Sequence, residues 1–353
     1  MTDHTLGELM RALEVVLPGA VEPDGLELRH RDLPSPAAGQ VVVRVEASGV
    51  SFAEQQMRRG KYYDQPPFPF VPGYDLVGTV VRTGAGAGHL AGGRFAALTK
   101  VGGWADHVLL DAADLVPVPD GVDPAEAEAF VVNGITAWRM LHHVARVRPD
   151  QTVLVHGANV GVGSTLVQLA RLAGATVIGT ASPRHHDAVR DLGAIPVDYR
   201  APDLAARIED LAPHGVDAVF DHVGGPGIVD SFRLLAPRGT LVAYGTASTR
   251  DEPGSARLPV LKLFARLLLW NALPNGHRAT FFNIWAGKRR QAAFRAALRR
   301  DLTEVFGLLA RGKLRARVAA RVPLDDVARA VALAESGTVT GKVVLVPPTG
   351  TTR

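Results

Sequence analysis

The chain has 353 residues, enough for two domains with cores of their own. Hydrophobic residues make up 47% and charged residues 21%, and a net charge of +4 is too small to argue for nucleic acid. There is no cysteine, hence no disulfide and no thiolate metal site; with neither a signal-peptide pattern nor a transmembrane segment, a cytoplasmic protein is expected.

Residues 1–10 read as a loose lead-in. Stretches 12–17 and 40–47 read as strands, separated by turns that include Pro34, Pro36 and Gly39. One or two helical turns are expected over 54–59. Pro66, Pro67, Pro69 and Pro72 keep 62–73 stiff and extended. Strands are predicted at 76–82, 94–98, 104–110 and 115–118, with a glycine-rich turn at 84–93. Short strands with frequent turns predict a compact β-rich domain or partial barrel.

Asp123 is a good N-cap, Pro124 suits the first helical position, and Glu126 can close a capping box. A second helix is predicted over 136–144. The stretch 151–180 then reads strand, glycine turn, helix, strand. Val153, Leu154 and Val155 form a short apolar run, as in a buried parallel strand. Apolar spacing predicts a helix from Val162 to Ala173, stopped by Gly174. Such a βαβ unit offers a pyrophosphate its helix N-terminus. The candidate cofactor-binding residues here are Gly157, Ala158, Asn159, Val160, Gly161, Val162 and Gly163. In the usual six-residue fingerprint the first, third and sixth positions are glycines; here they are Ala158, Val160 and Gly163. Val160 puts a branched side chain where the backbone normally nears the phosphates, and Gly161 is expected to take over that approach.

At the end of the second strand, a carboxylate would bind the ribose hydroxyls of NAD. This chain has Ser182, Pro183 and Arg184 there, with no carboxylate before Asp187. A hydroxyl and a cation suit a 2′-phosphate, so NADPH is expected, the alternative being a solvated turn. Strands and helices alternate on to residue 244, which predicts a parallel sheet with helices on both faces. Its carboxyl ends place 221–225 and 244–246 on the cofactor side, with Val223, Tyr244 and Gly245 as candidates; simple turn chemistry is the alternative. Residues 257–300 hold ten Lys or Arg and no Asp or Glu. Three readings stand: a packed helix with a solvated basic face, a lid over an apolar substrate, or a docking surface for CoA or a carrier protein. After a helix over 290–310, strands at 317–322 and 342–346 flank a helix over 325–336 and are expected to return to the first domain.

Several segments in order resemble one family: 49–54 (GVSFAE), 59–62 (RGKY), 69–75 (PFVPGYD), 136–138 (TAW), 156–163 and 341–344 (GKVV). Over about 12–347 the chain is similar to the medium-chain dehydrogenase/reductases, in their zinc-independent quinone oxidoreductase or enoyl reductase branch. The resemblance implies an α/β fold: a GroES-like β-rich catalytic domain (1–133, completed by 312–353) and a Rossmann-type doubly wound parallel sheet domain (134–311, with the lid-like segment 257–300). Where the zinc branch has its ligands this chain has Ser51, Tyr74 and Val132 or Asn133, so no metal is expected. By resemblance Ser51 and Tyr62 are the catalytic candidates. Ser51 stands where relatives usually carry Asn; Tyr62 is an orienting donor or acid, or else packs on the proline-rich loop. Thr136 is implied at the nicotinamide, Tyr199 near the adenine-side phosphate, and Lys342 as a cofactor contact. The implied function is NADPH-dependent hydride transfer to an activated C=C bond of an apolar quinone or enone, in a homodimer. The alternatives are a carrier-linked enoyl reductase of secondary metabolism and a cofactor-binding interaction protein with little turnover.

Overall fold

The structure, a computed structural model, describes residues 10–249 and 257–350; of the expected lead-in, residues 1–9 lie outside them. The first part of the chain forms β1 (Met10–Val16), β2 (Glu27–Leu33), β3 (Gln40–Val50), α1 (Phe52–Arg58), β4 (Asp75–Thr83), β5 (Arg94–Leu98), β6 (His107–Asp111), β7 (Val116–Pro117), α2 (Pro124–Glu128) and α3 (Val131–Trp138). Next come β8 (Thr152–His156), α4 (Gly161–Leu172), β9 (Thr176–Ala181), α5 (His186–Asp191), β10 (Ile195–Asp198), α6 (Leu204–Leu211), β11 (Val216–Asp221), α7 (Ile228–Arg233) and β12 (Leu235–Ala243). The rest forms α8 (Arg257–Ala272), β13 (Arg278–Phe281), α9 (Gln291–Ala310), β14 (Val318–Pro323), α10 (Val327–Glu335) and β15 (Lys342–Val346).

β3 is the spine of the first large sheet, ordered β14-β15-β3-β4-β5-β7 with β6 also on β3. Its period-two alternation is visible in the packing. Val41, Val43 and Val45 join one core with Leu76, Val80 and Leu115, while Val42 faces Ala12 and Leu33 of the β1–β2 pair. The C-terminal chain does return here: Val343 pairs with Val50 and Leu345 with Ser48. β2 occupies a stretch expected to be turn. Every residue of it except Leu33 is exposed, so it has no apolar alternation to read; its antiparallel ladder to β1 holds it.

The second large sheet runs β10-β9-β8-β11-β12-β13, all parallel. Strand order reverses between β8 and β11, which opens a crevice beyond their carboxyl ends. Val153, Leu154 and Val155 are completely buried, as the apolar run predicts. Pro196 is accommodated because β10 is an edge strand. β13 forms the other edge and escapes sequence reading because it has four residues. α4 buries Leu166, Val167, Leu169 and Ala170 and ends at Gly174, whose φ of +82° suits glycine. Burying Leu166 and Leu169 contributes ~2 kcal/mol each. α3 starts five residues before the expected Thr136, at Val131, because Phe130 provides no side-chain cap to read. It passes into a wide π-type turn, Arg139–Ala145.

α8 carries an exposed Lys262 and a half-buried Arg266 on a face that is otherwise largely apolar. Leu263 and Leu267 pack inward, and the outward side carries Leu261 and Leu268, 65% and 71% exposed. Among the described residues no helix is long and apolar enough to cross a membrane.

Candidate active site

The two large sheets face each other across a cleft of about 440 Å³. One wall is the start of α1 and the turn Lys61–Tyr63; the other is the glycine turn with the carboxyl ends of β11 and β12. Phe281, Phe282 and Ile284 also line the cleft.

Ser51 lines the cleft, but its hydroxyl is occupied as the N-cap of α1. It accepts the Ala53 amide at 3.2 Å and donates to Glu54, whose carboxylate also accepts the Ser51 amide at 3.0 Å. This capping box commits the hydroxyl proton to Glu54 and leaves the Ser51 oxygen one acceptor site toward the cleft. The other Glu54 oxygen accepts the Tyr74 amide at 2.6 Å, and burial pushes the carboxyl above its ordinary range.

Tyr62 sits in an aromatic cluster. Its hydroxyl is 3.1 Å from that of Tyr74, which also accepts the Trp285 indole N–H. Burial pushes both phenols well above their ordinary pKa, so both stay neutral. Trp285 is donor-only. The proton between Tyr62 and Tyr74 can lie on either oxygen, and Tyr63 is a second side-chain hydrogen-bond partner of Tyr62, so the Tyr62 hydroxyl belongs to a phenol cluster at the cleft wall.

The glycine turn fits a dinucleotide. Gly157 has φ +67°, and a Cβ there would stand 2.4 Å from the His222 ring. A Cβ on Gly163 would stand 2.1 Å from the Gly157 carbonyl oxygen, so glycine is what lets α4 lie against the turn. Ser164 makes the first amide bond back to Val160, leaving the amides of Gly161, Val162 and Gly163 without intrahelical acceptors. Val160 caps α4 in an extended conformation with 40% of its surface exposed, so its branched side chain stands at the turn's surface. Gly157, Val160, Gly161, Val162 and Gly163 line the cleft, as do Thr136, Tyr244 and Gly245; Ala158, Asn159 and Val223 lie outside its wall.

A hydrogen-bonded chain that sequence reading missed holds this turn. Ser231 donates to Asp221 at 2.8 Å, so its oxygen accepts from His156 Nε2 at 3.0 Å. That assigns the His156 proton to Nε2, and Nδ1 accepts from Thr180 at 3.1 Å. Thr180 in turn accepts the Gly157 amide at 3.3 Å, and Asp221 accepts the amides of Val223 and Gly224. The carboxyl ends of β8, β9 and β11 are thereby tied together.

Ser182, Arg184 and Tyr199 lie beyond the cleft wall but share one end of the sheet. Asp198 pairs with Ala181, which sets Tyr199 level with Ser182. Tyr199 is half-exposed under the Arg200 guanidinium at 5.1 Å, and Arg184 is exposed and donates to the Gly337 carbonyl. Two cations and two hydroxyls therefore border this end.

Lys342 reaches the cleft wall, but its ammonium is committed elsewhere. It donates to Asp75 at 2.9 Å and Glu128 at 2.7 Å, all three side chains being at least 96% buried. That corrects the expectation of a cofactor contact. Desolvation and the neighbouring Asp75 raise Glu128 far above the carboxylate range. Glu128 Oε2 and Asp75 Oδ1 are otherwise without partners, and a proton held on Glu128 and shared with Asp75 satisfies both. The triad is then neutral.

The positions of zinc ligands in the zinc branch do not fit that metal. The Ser51 hydroxyl is bonded to Glu54, the Tyr74 phenol is bonded by Trp285 and burial keeps it protonated, the Val132 side chain has no donor atom, and Asn133 offers only a neutral amide. Among the described residues no three His, Cys, Asp or Glu side chains are grouped to hold an ion.

A dinucleotide-type sheet facing a β-rich domain across an apolar cleft is the architecture of a two-domain oxidoreductase. Residues 37–120 match the alcohol dehydrogenase GroES-like domain, and 192–345 the zinc-binding dehydrogenase domain. The synaptic vesicle membrane protein VAT-1 homolog of Rattus norvegicus is 32% identical over 94% of this chain and 83% of its own. A quinone oxidoreductase of Pseudomonas syringae pv. Tomato superposes with a TM-score of 0.81 at 28% identity, over 95% of this chain and all of that one. A mycobacterial protein solved with NADPH superposes with a TM-score of 0.79 at 29% identity, over 95% of this chain and all of that one. The chain belongs to the medium-chain dehydrogenase/reductase family, in its zinc-independent quinone oxidoreductase branch.

Proposed function

We propose that the protein is an NADPH-dependent reductase of activated C=C bonds in apolar enones or quinones. The observation that carries this reading is a neutral, buried Tyr62 phenol in the same cleft as the glycine turn. NADPH, when bound, supplies a hydride to the β-carbon of the conjugated system. The C=C electron pair moves onto the carbonyl oxygen, and the Tyr62 O–H stabilises the charge that gathers there. Its raised pKa makes Tyr62 a hydrogen-bond donor rather than an acid, so the proton that completes the product comes from water. Thr136 and Gly245 line the same largely apolar cleft and would hold the nicotinamide.

Steady-state NADPH oxidation with a panel of enones and quinones tests this reading. Tyr62→Phe removes one neutral hydrogen bond and is expected to lower kcat about tenfold. A raised KM with kcat retained would assign Tyr62 to substrate binding only. Turnover with none of the panel would leave the non-catalytic interaction reading in its place.

The preference for NADPH rests on Arg184 with Ser182, Tyr199 and Arg200 at the far end of the sheet. Arg184→Ala is expected to reduce the ratio of NADPH to NADH affinity about tenfold. An unchanged ratio would remove Arg184 from the phosphate site.

A further inference from the structure

An aromatic path leads out of the cleft. Tyr62 and Tyr63 rings are 4.8 Å apart, Tyr63 meets Phe281 at 6.2 Å, and Phe281 meets Phe264 of α8 at 5.1 Å. Val260, one helical turn before Phe264, stands in the cleft wall itself. On either side of Phe264 the helix presents Leu261, Leu268 and Leu269 outward, each more than half exposed. From Val260 to Leu268 the helix runs ~12 Å.

This outer face is nearly uncharged despite the basic composition of the segment. Arg266 folds back, donating to the Gly225 carbonyl at 3.2 Å with its guanidinium over Trp270. Of the charged side chains described on α8, that leaves Lys262 exposed outward. An apolar strip of this length, continuous with a reaction cleft, needs an apolar occupant.

We infer that α8 is a seat for a long hydrocarbon tail. The conjugated head of the substrate lies beside Tyr62; its tail leaves the cleft across the Tyr63 and Phe281 rings and runs over Phe264 onto Leu261 and Leu268. The substrate class is therefore an enone or quinone carrying an extended alkyl or prenyl chain. The inference rests on reading the cleft as an enone or quinone site, and its test separates the two.

Saturated 2-alkanones of increasing length have no C=C bond to reduce, so calorimetric binding of this series reads the tail seat without turnover. Affinity is expected to rise about two- to four-fold per methylene until the chain outruns the helix. In parallel, kcat/KM for the matching alk-3-en-2-ones should rise with the same slope. In the double variant Leu261→Gln, Leu268→Gln both slopes should flatten. These leucines are exposed, so their replacement leaves the core of the domain intact. Binding that does not depend on length, or a slope unchanged in the double variant, would overturn the inference. So would light scattering that finds a dimer in the parent and a monomer in the variant, because a second copy would then cover the face. Length-dependent binding without any enone turnover would sink the proposed reaction and leave the tail seat standing.

Discussion

Lys342→Met is expected to destabilise the protein by about 3–5 kcal/mol, the usual cost of removing one partner from a buried ionic group. The side chains of Asp75 and Glu128 are fully buried, and the ammonium is held between them. Methionine fills the volume but leaves Asp75 with no cation. Chemical denaturation followed by the fluorescence of Trp104, buried next to β3, reports the loss. Glu128→Gln provides the contrast. An amide can donate to Asp75 and accept from Lys342, as the protonated acid does, so the cost should stay below about 1 kcal/mol near neutral pH. If Glu128→Gln proved as costly as Lys342→Met, Glu128 would be an ionised carboxylate and the neutral triad would be wrong.

Gly163→Ala is expected to weaken dinucleotide binding by up to about 100-fold. The added methyl would meet the Gly157 carbonyl oxygen at 2.1 Å and its carbon at 2.8 Å, and neither is a flexible side chain that could swing away. α4 must move off the turn, at a strain of roughly 1–3 kcal/mol, and the three free amides move with it. Fluorescence titration with NADPH measures the effect. Unchanged affinity would mean that the pyrophosphate does not rest on the amides at the start of α4. That would also release Val160 from any part in binding.

The sequence made the glycine turn, its flanking strand and α4 readable because each is written in neighbouring residues. Val153 to Val155 announces a doubly buried strand, and Gly163 a close helix approach. The return of β15 to β3 was readable from an apolar run that needs a sheet. The site chemistry was less so, because its partners are far apart in the chain. Lys342 meets residues 214 and 267 positions away, and Trp285 reaches Tyr74 across 211. Nothing local to Lys342 distinguishes a lysine for a phosphate from one for two buried carboxylates. The cap at Ser51 has the opposite character: its signal, a glutamate three residues on, is local. On α8 the basic count was correct, and the fold determined which side chains face water.

The triad also bears on the order of events at the ribosome. Asp75 and Glu128 belong to the first domain, yet their cation arrives with the last strand, 267 and 214 residues later. At ordinary elongation rates the interval is on the order of 10–50 s. Until then those carboxylates have no lysine to bury against, and β3 has no β15 along Ser48–Val50. The parallel sheet, whose strands lie between the two halves of the mixed sheet in the chain, is free to form first. The mixed sheet is therefore completed after the parallel sheet, although most of its strands are made before it.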